Sequence, residues 1–162
     1  MATSASIQKP RSALSTILLA WLTAGTLDLL GAILVYVMIM KRVTAVRLLQ
    51  GIASGAFGKK AFDGGNTMAL YGIGFHYIIA LTFTIFFFVI FLYFSFLKKY
   101  KILAGLLYGI FVWMVMNLAV LPLLHVGKFP TKWDAIARGA IILMFCIGLP
   151  ISLIVNRYYS RK

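Results

Sequence analysis

Apolar residues in this chain come in long unbroken runs, not at the short intervals of a soluble fold. Four runs cover residues 14–40, 68–97, 103–124 and 135–156. Each reaches or exceeds the roughly 20 residues that carry an α-helix across the hydrocarbon core. The strict alternation of a membrane barrel strand is absent, so helices are required. The predicted fold is all-α and integral to the membrane: a four-helix transmembrane bundle. It forms a single transmembrane domain over 14–158, between a polar amino-terminal tail (1–13) and a basic carboxyl-terminal tail (159–162). Basic residues ahead of the first run, and small residues near Ala24, resemble a secretory signal. The run continues well beyond the roughly 7–15 residues of a signal core. It reads as an uncleaved first span.

The connector between the first two runs, 43–62, is too polar to cross and too patterned to be slack. Val46, Leu49, Ala53, Ala56 and Phe57 recur at helical spacing on one face. Gly51, Ser54, Gly55 and Gly58 fall on another and include a Gly-x-x-x-Gly pair, while Asp63-Gly64-Gly65-Asn66 supplies turn residues. Two arrangements fit. The helix lies in the interface with Lys59 and Lys60 near lipid phosphates, or it folds over the bundle as a lid or re-entrant element, its small face packed closely on a neighbour. Arg47, Gln50 and Ser54 are its candidate contact residues.

Composition excludes the alternatives to a membrane protein. Of 162 residues, 62% are hydrophobic and 12% charged, against about 45–50% and about 25% in ordinary globular chains. Such a chain lacks the polar side chains to cover a soluble surface. Thirteen Phe, eight Tyr and three Trp exclude disorder. The single Cys146 rules out an internal disulfide framework and a paired-cysteine metal site.

The net charge of +13 would suggest nucleic acid in a soluble protein. Here the basic residues cluster at the ends of apolar runs, where they stop spans and meet anionic lipid head groups. Lipids are the expected partners, with a homo-oligomer or a larger membrane complex possible and nucleic acid not expected. Four spans place both termini on one side. Basic residues divide eight against eight between the two faces, a tie under the positive-inside rule. The expected side for the termini is cytoplasmic, because Arg47, Lys59, Lys60 and Arg138 read as parts of folded elements.

The string from Arg47 to Gly58, then Gly64-Gly65, resembles a stretch in a family of small, uncharacterised bacterial membrane proteins. Asp28, His76, Asn117 with Pro122, and Gly148-Leu149-Pro150 match the same pattern, from about Ala24 onward. The resemblance implies a four-helix protein of the bacterial inner membrane. It implies no activity.

Polar side chains inside hydrocarbon cost free energy, starting at about 2.5 kcal/mol for a central Asp. At about 1.5 Å per residue, Asp28 lies about 18 Å from the Met40 end of its span. His76 lies about 12 Å below Met68, and Asn117 about 10 Å below Leu124. Arg138 enters the fourth span within about one turn. All four ends lie on one membrane face, so Asp28, His76, Asn117 and Arg138 share one half of the bilayer. As a functional site, Asp28 and His76 would exchange protons, with Arg138 neutralising Asp28 or holding an anionic head group. As a structural clamp, the same residues would fix helix register, aided by Thr23 and Thr26.

His125 and His76 differ in depth by about 12 Å, too far for two axial ligands of one haem. No cofactor or metal is expected. Enzyme motifs are missing: there is no HExxH, no phosphate-cradling glycine loop and no nucleophile elbow at Ser54. The only acids are Asp28, Asp63 and Asp134, too few for a divalent-metal transferase. The expectation is a non-enzymatic transporter, channel or lipid-handling protein, or else a scaffold subunit docking through its glycine faces.

Three packing expectations follow. Gly105 and Gly109 should form a helix contact, and Pro150 should bend the fourth span near Gly148. The phenylalanines of the second span serve lipid contact and bulk packing. Trp133 and Tyr158 read as interfacial anchors.

Overall fold

The computed structural model describes residues 12–124 and 130–160. His125 and Lys128 lie outside the described residues, as do 1–11 and 161–162 of the two tails. Six helices are described: α1 (Ala13–Ile39), α2 (Ala45–Phe57), α3 (Gly65–Ile90), α4 (Ser95–Lys99), α5 (Lys101–Leu123) and α6 (Trp133–Tyr159). Among the described residues there is no strand. Four helices, α1, α3, α5 and α6, are long and apolar enough to cross a bilayer. Their outward faces carry exposed residues such as Leu22, Ile78, Leu118 and Phe145, a distribution that water would penalise and acyl chains accept. The chain is a multi-pass membrane protein built as an all-α four-helix bundle.

The boundaries follow local chemistry. Ser12 caps α1 by accepting from the Ser15 amide, and Thr44 caps α2 by accepting from Arg47. Gly58 ends α2 at φ 61°, a conformation that costs glycine nothing. The second apolar run was expected to continue as helix to residue 97, but α3 stops at Ile90. Thirty residues exceed what the hydrocarbon needs, and the surplus folds into a turn and the short α4. Phe91, in that turn, is fully buried and stacks on Tyr159 at 4.9 Å.

Lipid supplies no hydrophobic force between helices, so close packing and polar stitching must hold them. Phe87, Phe91, Tyr108, Val112, Ile147, Ile151 and Val155 fill the centre of the bundle. The second-span phenylalanines are therefore divided, Phe87 inside and Phe86 exposed. Gly105 and Gly109 on α5 face α6, where a Cβ on either would meet the backbone of Leu149 or Met144. Gly148 presses back between them, against the Gly105 carbonyl and the Gly109 backbone. This Gly-x-x-x-Gly contact is thus internal to the bundle.

Three spans contain a π-helical stretch: Ile33–Ile39 in α1, Met116–Val120 in α5 and Met144–Gly148 in α6. The last two directly precede the turns holding Pro122 and Pro150. The wider register is the local form taken by the expected proline disturbance, since proline cannot donate to the carbonyl four residues back.

Candidate functional site: two cavities that meet at Asp28

Asp28, Ala32 and Tyr36 follow one another at four-residue spacing and form a stripe along α1. That stripe borders two cavities. The larger, about 520 Å³, lies between α1, α2, α3 and α5. Its lining is mostly aliphatic: Leu29, Val43, Leu48, Ile52, Ile79, Met116, Val120, Leu121 and Leu124. Its titratable groups are Asp28, Tyr36, Arg42 and His76. The smaller, about 330 Å³, lies between α1, α5 and α6, lined by Asp28, Tyr36, Trp113, Asn117, Pro130 and Gly139 among others.

Asp28 and His76 both border the larger cavity, but among the described residues no hydrogen bond or ion pair joins them. His76 Nε2 lies 2.8 Å from the Gly25 carbonyl oxygen on α1. A carbonyl can only accept, so Nε2 carries the proton and Nδ1 is left as an acceptor. The neighbouring residues repeat the stitch in both directions. Trp21 Nε1 donates to the Tyr77 carbonyl at 2.7 Å, and Thr26 Oγ1 lies 2.8 Å from the Tyr77 hydroxyl. Thr26, expected as a partner of Asp28, is thus committed to Tyr77. Among the described residues, the Asp28 carboxyl receives no hydrogen bond from the protein.

Asn117 shares the smaller cavity with Asp28. Its Nδ2 donates to the Trp113 carbonyl at 2.9 Å, where α5 passes from α to π register. Arg138 is not brought to Asp28. It pairs with Asp134, one turn earlier on the same helix, at 2.7 Å, and lines neither cavity. Its Nε is buried without a partner among the described residues. The physical reason is distance along one helix: a carboxylate four residues away is reached without crossing the bundle. The sequence already held this signal in Asp134-x-x-x-Arg138.

Two connector residues tie α2 to the segment that leads into α3, and the third bonds within α2. Arg47 donates to the Phe62 carbonyl at 3.1 Å and lies over the Phe62 ring at 4.5 Å. Gln50, buried, donates to the Gly65 carbonyl at 3.0 Å, and Ser54 donates to Gly51 at 2.7 Å. The expected face division of α2 needs correction. The buried stripe is Leu49, Gln50, Ala53 and Ser54, whereas Val46, Ala56 and Phe57 are exposed. Close approach to α3 comes from Gly72, on which a Cβ would run into the Leu49 carbonyl. Gly51 has nothing within 4 Å. Gly51 and Gly55, with Leu48 and Ile52, wall the larger cavity. The small face of α2 therefore makes room instead of contact.

Three cavity residues were missed as site residues. Tyr36 was detectable from its eight-residue spacing to Asp28. Arg42 had been read only as a stop charge. Trp113 carried no polar signal within an aromatic-rich run. Among the described residues, no cluster of three metal-ligating side chains occurs. Comparison with protein-family models, curated proteins and solved structures gives no match.

Proposed function

We propose that this protein handles lipid, holding one acyl chain in the cavity beneath α2 with its phosphate near Arg42. The observation that carries the reading is the character of that space. A cavity of about 520 Å³ with a mostly aliphatic lining is walled by the amphipathic α2, and one guanidinium, that of Arg42, belongs to its lining. Asp28 lies about 16 Å along α1 from its Ile39 end, at about 1.5 Å per residue. The wall favours a chain over water, and Arg42 suits an anionic head group. Asp28 and His76 then supply the polar side chains at the deep end of that lining.

The scaffold alternative relied on free glycine faces. Gly105 and Gly109 are used within the bundle, and Gly51 faces the cavity, which favours the lipid reading. We place the protein in a bacterial inner membrane with its termini cytoplasmic, on the resemblance and the charge argument above.

The test is native mass spectrometry of the purified protein released from mild detergent, with a photoreactive-tail phosphatidylglycerol as probe. Retained lipid is expected, with crosslinks at Leu48, Ile52 or Val120, and Gly51→Phe should remove both by filling the space. Crosslinks confined to outward residues such as Leu22 or Phe145, unaffected by Gly51→Phe, would refute the reading.

A further inference from the structure

We infer that the smaller cavity, between α1, α5 and α6, is a binding site for a small organic ammonium ion. This site is separate from the acyl-chain cavity, sharing only the Asp28 stripe of α1 with it.

Three side chains of its lining keep unused hydrogen-bonding valences. Asn117 spends its donor Nδ2 on the Trp113 carbonyl at 2.9 Å. What the carboxamide still offers is its oxygen, an acceptor, and the second N–H of Nδ2. Asp28, with no hydrogen bond from the protein among the described residues, offers carboxyl oxygens. Tyr36 adds a hydroxyl that accepts as readily as it donates. Arg138, the nearest cation along α6, is turned to Asp134 and does not line the space. Among the described residues, no lysine or arginine lines it. Residues from two helices thus bring acceptor oxygens to this space, and one of them is a carboxyl with no donor from the protein among the described residues.

Such a set rejects anions and satisfies a ligand that brings several N–H donors with a positive charge. Trp113 supplies an aromatic wall, which tolerates a cation better than an aliphatic one does. Gly139 is what lets it sit there, since a Cβ at that position would come within 2.7 Å of the indole Nε1. About 330 Å³ holds a small amine with a ring or short chain, not a lipid. Pro130 and Ala135 also line the space, so it runs from Asp28 to the loop end of α6.

The experiment is calorimetric titration of the full-length protein in maltoside micelles, with empty-micelle subtraction. Benzylammonium, benzyl alcohol and benzoate are the probes, matched in shape and different in charge. Benzylammonium should bind at least about tenfold more tightly than benzyl alcohol, a difference of about 1.4 kcal/mol, and benzoate most weakly. Asp28→Asn should erase the preference for the cation. Asn117→Leu and Tyr36→Phe, which keep the carboxyl, should each weaken it, and they serve should Asp28→Asn fail to fold. Equal affinity for benzylammonium and benzyl alcohol, or a preference that survives Asp28→Asn, would overturn the inference. Lipid retention is read separately, so either proposal can fail while the other stands.

Discussion

His76 Nε2 is bonded to the Gly25 carbonyl at 2.8 Å, and Trp21 on the same stretch of α1 returns a bond to Tyr77. The imidazole therefore does two jobs: it fixes α3 against α1 and, with Asp28, borders the larger cavity. Removing it should loosen the bundle even if the site has no ligand. His76→Ala should lower unfolding stability in micelles by about 1 kcal/mol, the net value of one such bond between membrane helices. His76→Gln, which keeps a donor, should recover part of that loss. Denaturant titration followed by far-UV circular dichroism reads both.

The two glycines at the α2 interface should behave oppositely. Gly72→Ala forces a methyl into the Leu49 backbone, an overpacking that costs about 1–3 kcal/mol. Gly51→Ala meets nothing and gains helix propensity of up to about 1 kcal/mol. The expected signature is early protease cutting near α2 in the first variant and protection equal to wild type in the second.

A parallel contrast holds for the helix cores. Gly148→Ala would press into both Gly105 and Gly109, and should separate α5 from α6 with a loss of at least about 2 kcal/mol. Gly74→Ala, on open surface of α3, should leave the thermal midpoint unchanged or raise it. Emission of the buried Trp113, which packs on Gly139 of α6, should shift to longer wavelength only in the first.

Arg138 gives a test of which polar residues belong together. Its Nε is buried and unsatisfied among the described residues, and its one ion pair is local. Replacement by an apolar side chain of similar length relieves that burial. Arg138→Met should therefore keep or raise the thermal midpoint. A marked drop would mean that the guanidinium holds the bundle together.

Much of this organisation was legible in the chain. The four spans follow from length and apolarity. Asp28, His76 and Asn117 could be assigned to one half of the bilayer because helical rise is regular. What depth cannot supply is azimuth, the direction a side chain takes around its helix. Arg138 was assigned to the same half yet turned to Asp134. The Gly51-x-x-x-Gly55 pair has the spacing of a packing motif. However, spacing does not say whether a helix or a void lies opposite. The end of α3 at Ile90 was hidden because the following residues are as apolar as those before them. Tertiary stacking of Phe91 on Tyr159, far along the chain, decides it.

The π-helical stretches place one surplus residue per turn at Tyr36, at Asn117 and in the segment of α6 beside Gly109. Sliding such a surplus by one position turns the side chain it passes by about 100°, the arc of a single step in an α-helix. It does so without breaking the ends of the helix. Tyr36 and Asn117 both stand on these stretches and both flank Asp28. The walls of the two chambers can thus be re-aimed by a register migration along each rod, with every span keeping its place in the bilayer.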